Sequence, residues 1–231
     1  MSEAVNPATE PGLRGAVAVN TPDRAELVIA RRSAESRATV PAFELYGRVN
    51  AAALAAAADR LGCEFAALVI CCTARALRAA PRANGAYRDG RFESYSRVNI
   101  GVTMLTPSAY LTPVLLDADT KTPLELAAEL RDLRERAAAD QLHPSELAGV
   151  TFTVTDMGAY SGFTGAPVIQ PPQAAALAFG APVESALVRS GQLVAGLTLE
   201  LAVTFDHRII HSRQAMLFLE SLRASLEEVA V

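Results

Sequence analysis

The segment 197–206 constrains this chain most. Leu197, Leu199, Leu201, Val203 and Phe205 alternate with Thr198, Glu200, Thr204 and Asp206. That period of two calls for an extended strand with one face in a core and a largely polar face away from it. The run closes on Asp206-His207-Arg208-Ile209-Ile210-His211-Ser212, and His207 continues the apolar phase. Its imidazole is therefore expected to point into a shielded space. A lone histidine closing a strand is ordinarily a hydrogen-bonded core or edge residue. An imidazole out of bulk water, titrating near neutrality, also suits a general base. Spacing alone leaves both readings open.

The rest of the chain supplies both strands and helices. A helix is expected over 25–37, ended by the cluster Thr39-Val40-Pro41. Phe43, Leu45 and Gly47 alternate with polar residues as a strand, and Asn50 can cap an alanine-rich helix over 51–61. A second helix over 64–79 stops before Pro81, and the glycine-bearing stretch 82–96 reads as a loop or hairpin. Strands are expected near 97–105 and 111–116. Thr122-Pro123-Leu124-Glu125 opens a helix: threonine caps, proline fits the first turn, and the glutamate stands three residues after the cap. Strands follow at 151–156, 174–181, 184–189 and 193–206, and Ser212 is expected to cap a last helix carrying Met216, Leu219, Leu222 and Leu226. Mixed strands with helices on one side imply an α/β sandwich.

Composition narrows the classes. The chain has 231 residues, 51% of them hydrophobic, enough for one sizeable core. Its net charge of −4 gives no reason to expect nucleic acid as a partner. No apolar run approaches the roughly 20 residues that span a bilayer, and residues 1–21 lack the apolar stretch of a signal peptide. A protein of the cytoplasm, with no membrane partner, is expected. Cys63, Cys71 and Cys72 have no CxxC spacing and no histidine neighbours. Buried thiols are expected rather than a disulfide or a metal site.

Several segments then fall into a known order. They are Ile29-Ala30-Arg31-Arg32 with Glu35-Ser36-Arg37-Ala38-Thr39-Val40-Pro41, then Pro81-Arg82-Ala83-Asn84, Val98-Asn99-Ile100-Gly101-Val102 and Leu111-Thr112-Pro113-Val114. After them come Thr153-Val154-Thr155-Asp156-Met157-Gly158, Pro167-Val168-Ile169-Gln170-Pro171-Pro172-Gln173 and the His207 segment. Together these resemble the catalytic domain of the dihydrolipoyl acyltransferase subunits of 2-oxoacid dehydrogenase complexes. The resemblance implies a chloramphenicol acetyltransferase-like two-layer sandwich over 25–231, with residues 1–24 as a flexible tail.

The resemblance also implies a chemistry. The co-substrate would be a coenzyme A thioester, acetyl-coenzyme A in the favoured case, and the acceptor a small-molecule hydroxyl or thiol. His207 matches the family's general base, and Thr155 matches the hydroxyl that stabilises the tetrahedral intermediate. In the family these two come from neighbouring subunits, so a homotrimer or a multiple of trimers is implied. Gln173 is assigned to packing, and Asp206 and Arg208 to a salt bridge or turn contact that supports the loop.

Two departures from the family pattern stand out. The family has His-x-x-x-Asp-Gly, where this chain has His207 followed by His211 and Ser212. The missing aspartate ordinarily pairs with an arginine of the first helix, here Arg31 or Arg32, so that arginine needs another acid or the loop is rearranged. No lipoyl domain or lipoyl lysine precedes the match, which implies a stand-alone form without covalent lipoyl; Lys121 sits before a helix cap instead. Detached catalytic domains of this kind occur in bacterial polyketide pathways, where one role is acetylation of the hydroxymethyl group of a tetronate. Transfer to a lipoyl domain supplied in trans and a non-catalytic trimeric assembly role are the alternatives.

Overall fold

A computed structural model describes residues 15, 17–106, 110–159 and 165–229, so most of the expected tail lies outside the described residues. Helix α1, Arg24–Thr39, opens on a reciprocal cap between Asp23 and Glu26. Strand β1, Ala42–Asn50, leads to α2, Ala52–Leu61, and α3, Phe65–Ala79. Ala51 rather than Asn50 takes the cap position of α2, although Asn50 Oδ1 still accepts from Ala52 N at 3.1 Å. The stretch after Pro81 is a hairpin of β2, Gly85–Arg88, and β3, Arg91–Ser94. Strand β4, Ile100–Leu105, follows. The single strand expected over 111–116 is two short pieces, β5, Tyr110–Leu111, and β6, Val114–Leu115. Pro113 between them has no N–H for a ladder, and its carbonyl accepts from Val102 N instead.

Helix α4, Pro123–Ala138, carries the Thr122/Glu125 capping box. Strands β7, Phe152–Asp156, β8, Ala175–Phe179, β9, Val183–Arg189, and β10, Gln192–Asp206, lead to the last helix, α5, Ser212–Glu227. The main sheet runs β1-β10-β8-β7-β4-β5, with β6 also paired to β4 and β9 to β10. β4, β7 and β8 are mutually parallel and the other pairs antiparallel, a mixed sheet.

Strand register sorts the residues by face. One row crosses the sheet as Val102, Val154, Leu177, Val203 and Leu45; the next runs Thr103, Thr155, Ala178, Ala202 and Tyr46. Side chains alternate between faces along each strand, so large apolar residues collect on one face and small or hydroxyl residues on the other. Helices α2 to α5 cover the first face. There Phe218 of α5 lies 5.8 Å from the Phe152 ring and 6.1 Å from that of Phe205, all three fully buried. Each such side chain contributes about 1.5–3 kcal/mol by leaving water.

The second face is covered differently. The polar side of β10 is not solvated as its alternation suggests: Thr198, Thr204 and Asp206 are buried. Residues 165–170 lie over it, and Thr204 Oγ1 donates to Pro167 O at 2.7 Å. Helix α1 joins that layer, with Ser36 Oγ donating to Ile169 O and Val40, Ile169 and Ala176 forming a small second core. The one-sided helical layer is thus α2 to α5, and α1 stands on the opposite face. Gly101 marks how closely the loops approach this side, since a Cβ there would meet Val150 Cγ2 at 2.6 Å and Thr112 Cγ2 at 2.7 Å.

Candidate active site

The row Thr103, Thr155, Ala178, Ala202 is short in every side chain. With nothing bulky standing off the sheet, a cavity of 330 Å³ opens between this face, α1 and residues 165–170. Its lining is mostly apolar, including Ile29, Met157, Pro167 and Ala178; its polar groups include Arg32, Ser33, Thr103 and Thr155. Thr155 is half-buried, and its Oγ1 donates to Thr103 Oγ1 at 3.1 Å. The neighbouring Thr153 is buried and donates to Gln173 Oε1 at 2.8 Å, which gives that glutamine a structural partner. Asp156 turns to the helix face, 3.5 Å from Arg134 Nη2, and also accepts from Gly158 N.

His207 stands elsewhere. Strand β10 ends at Asp206, and a turn follows in which Ile209 N and Ile210 N both donate to Asp206 O. His207 is therefore outside the strand when its phase would have carried it inward, and it is exposed in the single chain rather than shielded. Its backbone N–H is held by Pro41 O at 3.0 Å. Its ring rests edge-on against Phe43, with centroids 4.9 Å apart, and 5.3 Å from the ring of His211. Among the described residues the imidazole nitrogens have no hydrogen-bond partner, so both are open to a ligand or a neighbouring subunit.

The loop is fixed without the family aspartate. Asp206 is buried and accepts from Arg208 N, Nε and Nη2, the last at 2.7 Å. Arg208 also lies over the Tyr87 ring, 4.4 Å from its centroid, and Arg82 Nη1 donates to Ile209 O. The bonds from Asp206 hold the Arg208 guanidinium pKa above its ordinary value. Arg31 and Arg32 take no part: both are exposed, neither has an ion pair among the described residues, and Arg32 lines the Thr155 cavity instead. The cap of α5 is His211 rather than Ser212, with Gln214 Oε1 accepting from His211 N.

Thr155 and His207 do not meet within one chain. Thr155 pairs with Ala178, and Ala178 with Ala202, so His207 lies two strands across and five residues along. At about 4.8 Å per strand and 3.3 Å per residue, that is a backbone separation of roughly 19 Å. They also lie on opposite faces, because Phe43, which His207 touches, stacks on Phe205 of the helix side.

Comparison with known proteins follows this geometry. The family described as 2-oxoacid dehydrogenases acyltransferase (catalytic domain) matches residues 21–231. The chain belongs to this acyltransferase family. It is 31% identical over 211 residues to the dihydrolipoyllysine-residue acetyltransferase component of the pyruvate dehydrogenase complex of Bacillus subtilis, covering 87% of this chain and 48% of that protein. The corresponding component of Rickettsia prowazekii is 28% identical over 210 residues, covering 87% and 52%. The chain thus spans about half the length of these curated relatives. Among solved structures, the Azotobacter vinelandii dihydrolipoamide acetyltransferase superposes with a TM-score of 0.88 at 23% identity, covering 97% of both chains. The acyltransferase fold also reaches chloramphenicol acetyltransferase, with a TM-score of 0.58, 16% identity and coverage of 85% and 94%.

Thr103, Ser33 and Arg32 line the cavity without a mark in the family pattern, which places Arg32 at the His207 loop instead. A signal for Thr103 exists: Gly101 and Thr103 repeat in β4 the small-and-hydroxyl period of Thr153 and Thr155 in β7. No such signal exists for α1, because which face a helix covers is not written in its own periodicity.

Proposed function

We propose that this protein moves an acyl group between a coenzyme A thioester and a thiol or hydroxyl acceptor, with His207 as general base and Thr155 as oxyanion donor. The observation that carries the reading is the Thr155 hydroxyl lining a largely apolar cavity of 330 Å³, with Thr103 beside it. That volume is at the small end of the range for ligand sites, and its lining fits the acyl end of a thioester. A hydroxyl aimed at an oxyanion in such a site is worth about 2.7–4 kcal/mol of barrier.

The steps balance on these two residues. The acceptor's O–H or S–H gives its proton to the His207 imidazole while its electron pair bonds the acyl carbon. Thr155 hydrogen-bonds the carbonyl oxygen as it gains negative charge. The carbon–sulfur bond then breaks, and the imidazolium returns the proton to the departing sulfur. No acyl-enzyme is formed. The separation of Thr155 and His207 within one chain requires that one subunit lend its histidine to the cavity of the next. A closed ring of three copies satisfies this for every site at once. The A. vinelandii structure was solved to examine a serine, a histidine and an asparagine in catalysis, the last two four positions apart. Here the same interval separates His207 from His211.

Relatives include acetyltransferase components and the succinyltransferase component of the bovine 2-oxoglutarate dehydrogenase complex. The deciding experiment therefore offers acetyl- and succinyl-coenzyme A with dihydrolipoamide and, separately, a hydroxymethyl tetronate, and reads products by mass spectrometry. Product with either acceptor that disappears in His207→Ala supports the reading. A hydroxyl acceptor should depend on His207 more steeply than a thiol, because a thiol already ionises a few per cent near pH 7. Product formation unchanged in His207→Ala would sink it.

A further inference from the structure

Two hydroxyls, not one, face the cavity from a single row of the sheet. Thr103 and Thr155 are register partners on the parallel strands β4 and β7, so their side chains leave the sheet on the same side. Their oxygens are 3.1 Å apart, with Thr155 donating and Thr103 accepting, and both residues line the cavity. In this arrangement the Thr155 proton is committed to Thr103 and not to the cavity. The Thr103 proton has no acceptor among the described residues.

We propose that Thr103 is a positioning residue whose hydrogen bond to Thr155 reverses as the oxyanion forms. Thr155 then turns its proton to the oxyanion, and Thr103 donates into the gap between the two oxygens. No proton changes owner; two hydroxyls rotate. The resulting chain, Thr103 O–H to Thr155 O–H to oxyanion, is stronger than Thr155 alone because each bond polarises the next. The resting distance of 3.1 Å is long for a hydroxyl pair, which ordinarily settles near 2.7–2.8 Å. That slack suits a contact that tightens during reaction. The alternative outcome is also physical: Thr103 could act as a competitor that holds the Thr155 proton away, and its removal would then speed the reaction. Reversal is favoured because the Thr103 proton is free to replace the one that Thr155 withdraws.

The inference rests on Thr155 being the oxyanion donor, and the test separates the two. Steady-state kinetics are compared for wild type, Thr103→Val, Thr103→Ser, Thr155→Ala and the double variant Thr103→Val/Thr155→Ala, on the acyl–acceptor pair that wild type turns over. Valine keeps the shape of threonine and loses only the hydroxyl. Thr103→Val should lower kcat about 5-fold, which is about 1 kcal/mol, with both KM values within twofold. Thr103→Ser should restore kcat, and Thr103→Val should have no further effect once Thr155 is alanine. Unchanged or raised kcat in Thr103→Val, a change confined to KM, or an equal drop in the Thr155→Ala background would overturn the relay while leaving the oxyanion role of Thr155 standing. Full turnover in Thr155→Ala, or no turnover by wild type with any pair, would remove the functional reading and the relay with it.

Discussion

A shared site can be tested by mixing two inactive proteins. Within one chain Thr155 and His207 are separated by the β8 strand, five residues of chain and a change of face, roughly 19 Å in all at ordinary sheet spacings. No side-chain rotation closes that gap, so a site that uses both residues would draw His207 from one subunit and Thr155 from another. His207→Ala should lower turnover by about 10²–10⁴, the usual worth of a general base. Thr155→Ala should lower it by about 10²–10³, the worth of one oxyanion donor.

Each variant retains what the other lacks. In a cyclic trimer every site lies at one head-to-tail interface, and each interface takes its histidine from one neighbour and its threonine from the other. With equal random mixing, half of the histidine-giving positions carry His207 and half of the threonine-giving positions carry Thr155. About one quarter of the interfaces are then intact. Co-expressed or co-refolded mixtures should therefore recover about a quarter of wild-type turnover, far above either parent. Native mass spectrometry on the same samples reports whether the subunits have exchanged, because the two substitutions change the chain mass by different amounts. Exchange without recovery would refute the shared site and return both residues to separate roles.

Three further outcomes follow from individual contacts. Asp206→Asn removes the charge that binds Arg208 through Nε and Nη2 while keeping one acceptor for the backbone N–H; with Arg208 partly solvated, the cost should be about 2 kcal/mol, or roughly 4–8 °C in Tm, and unchanged melting would show that this pair does not hold the loop. Burial pushes the Cys72 thiol up to about 12 and raises Cys71 as well, so at pH 8 both remain neutral thiols. Alkylation of the native protein followed by peptide mass spectrometry should label the less buried Cys63 first and the other two after unfolding, an order that equal native rates would contradict. His211→Asp places a carboxylate at the cap of α5; a good cap beside a helix N-terminus adds about 0.5–1 kcal/mol, read as a rise in Tm, and a fall would mean that the His211 ring is needed against His207.

What the sequence disclosed and what it withheld divide along a physical line. Local chemistry was readable. The Thr122/Glu125 cap begins α4 where expected because both partners lie within one turn, and the period of 197–206 yields β10 because one face is filled by Leu199, Leu201, Val203 and Phe205. Features decided by distant chain were not readable. The exposure of His207 depends on where the chain leaves β10: Ala174 O accepts from Asp206 N and Pro41 O from His207 N, both from distant chain, and Ile209 N and Ile210 N then turn back onto Asp206 O. The burial of Thr204 depends on residues 165–170, tied to α1 through Ser36, closing over the second face. Thr103 was missed for the same reason. A threonine at a polar phase reads as a residue facing water until the register shows Thr155 beside it and a cavity above both. Packing against the helices is specified by large side chains that each bear a strong local signal. The candidate site is specified by small ones, Thr103, Thr155 and Ala178, whose contribution is the space they leave. Filling that space tests the point directly: Ala178→Leu should leave the helix-side core intact, since Ala178 faces away from it, yet abolish turnover by occupying the cavity, and an active Ala178→Leu protein would place the chemistry elsewhere.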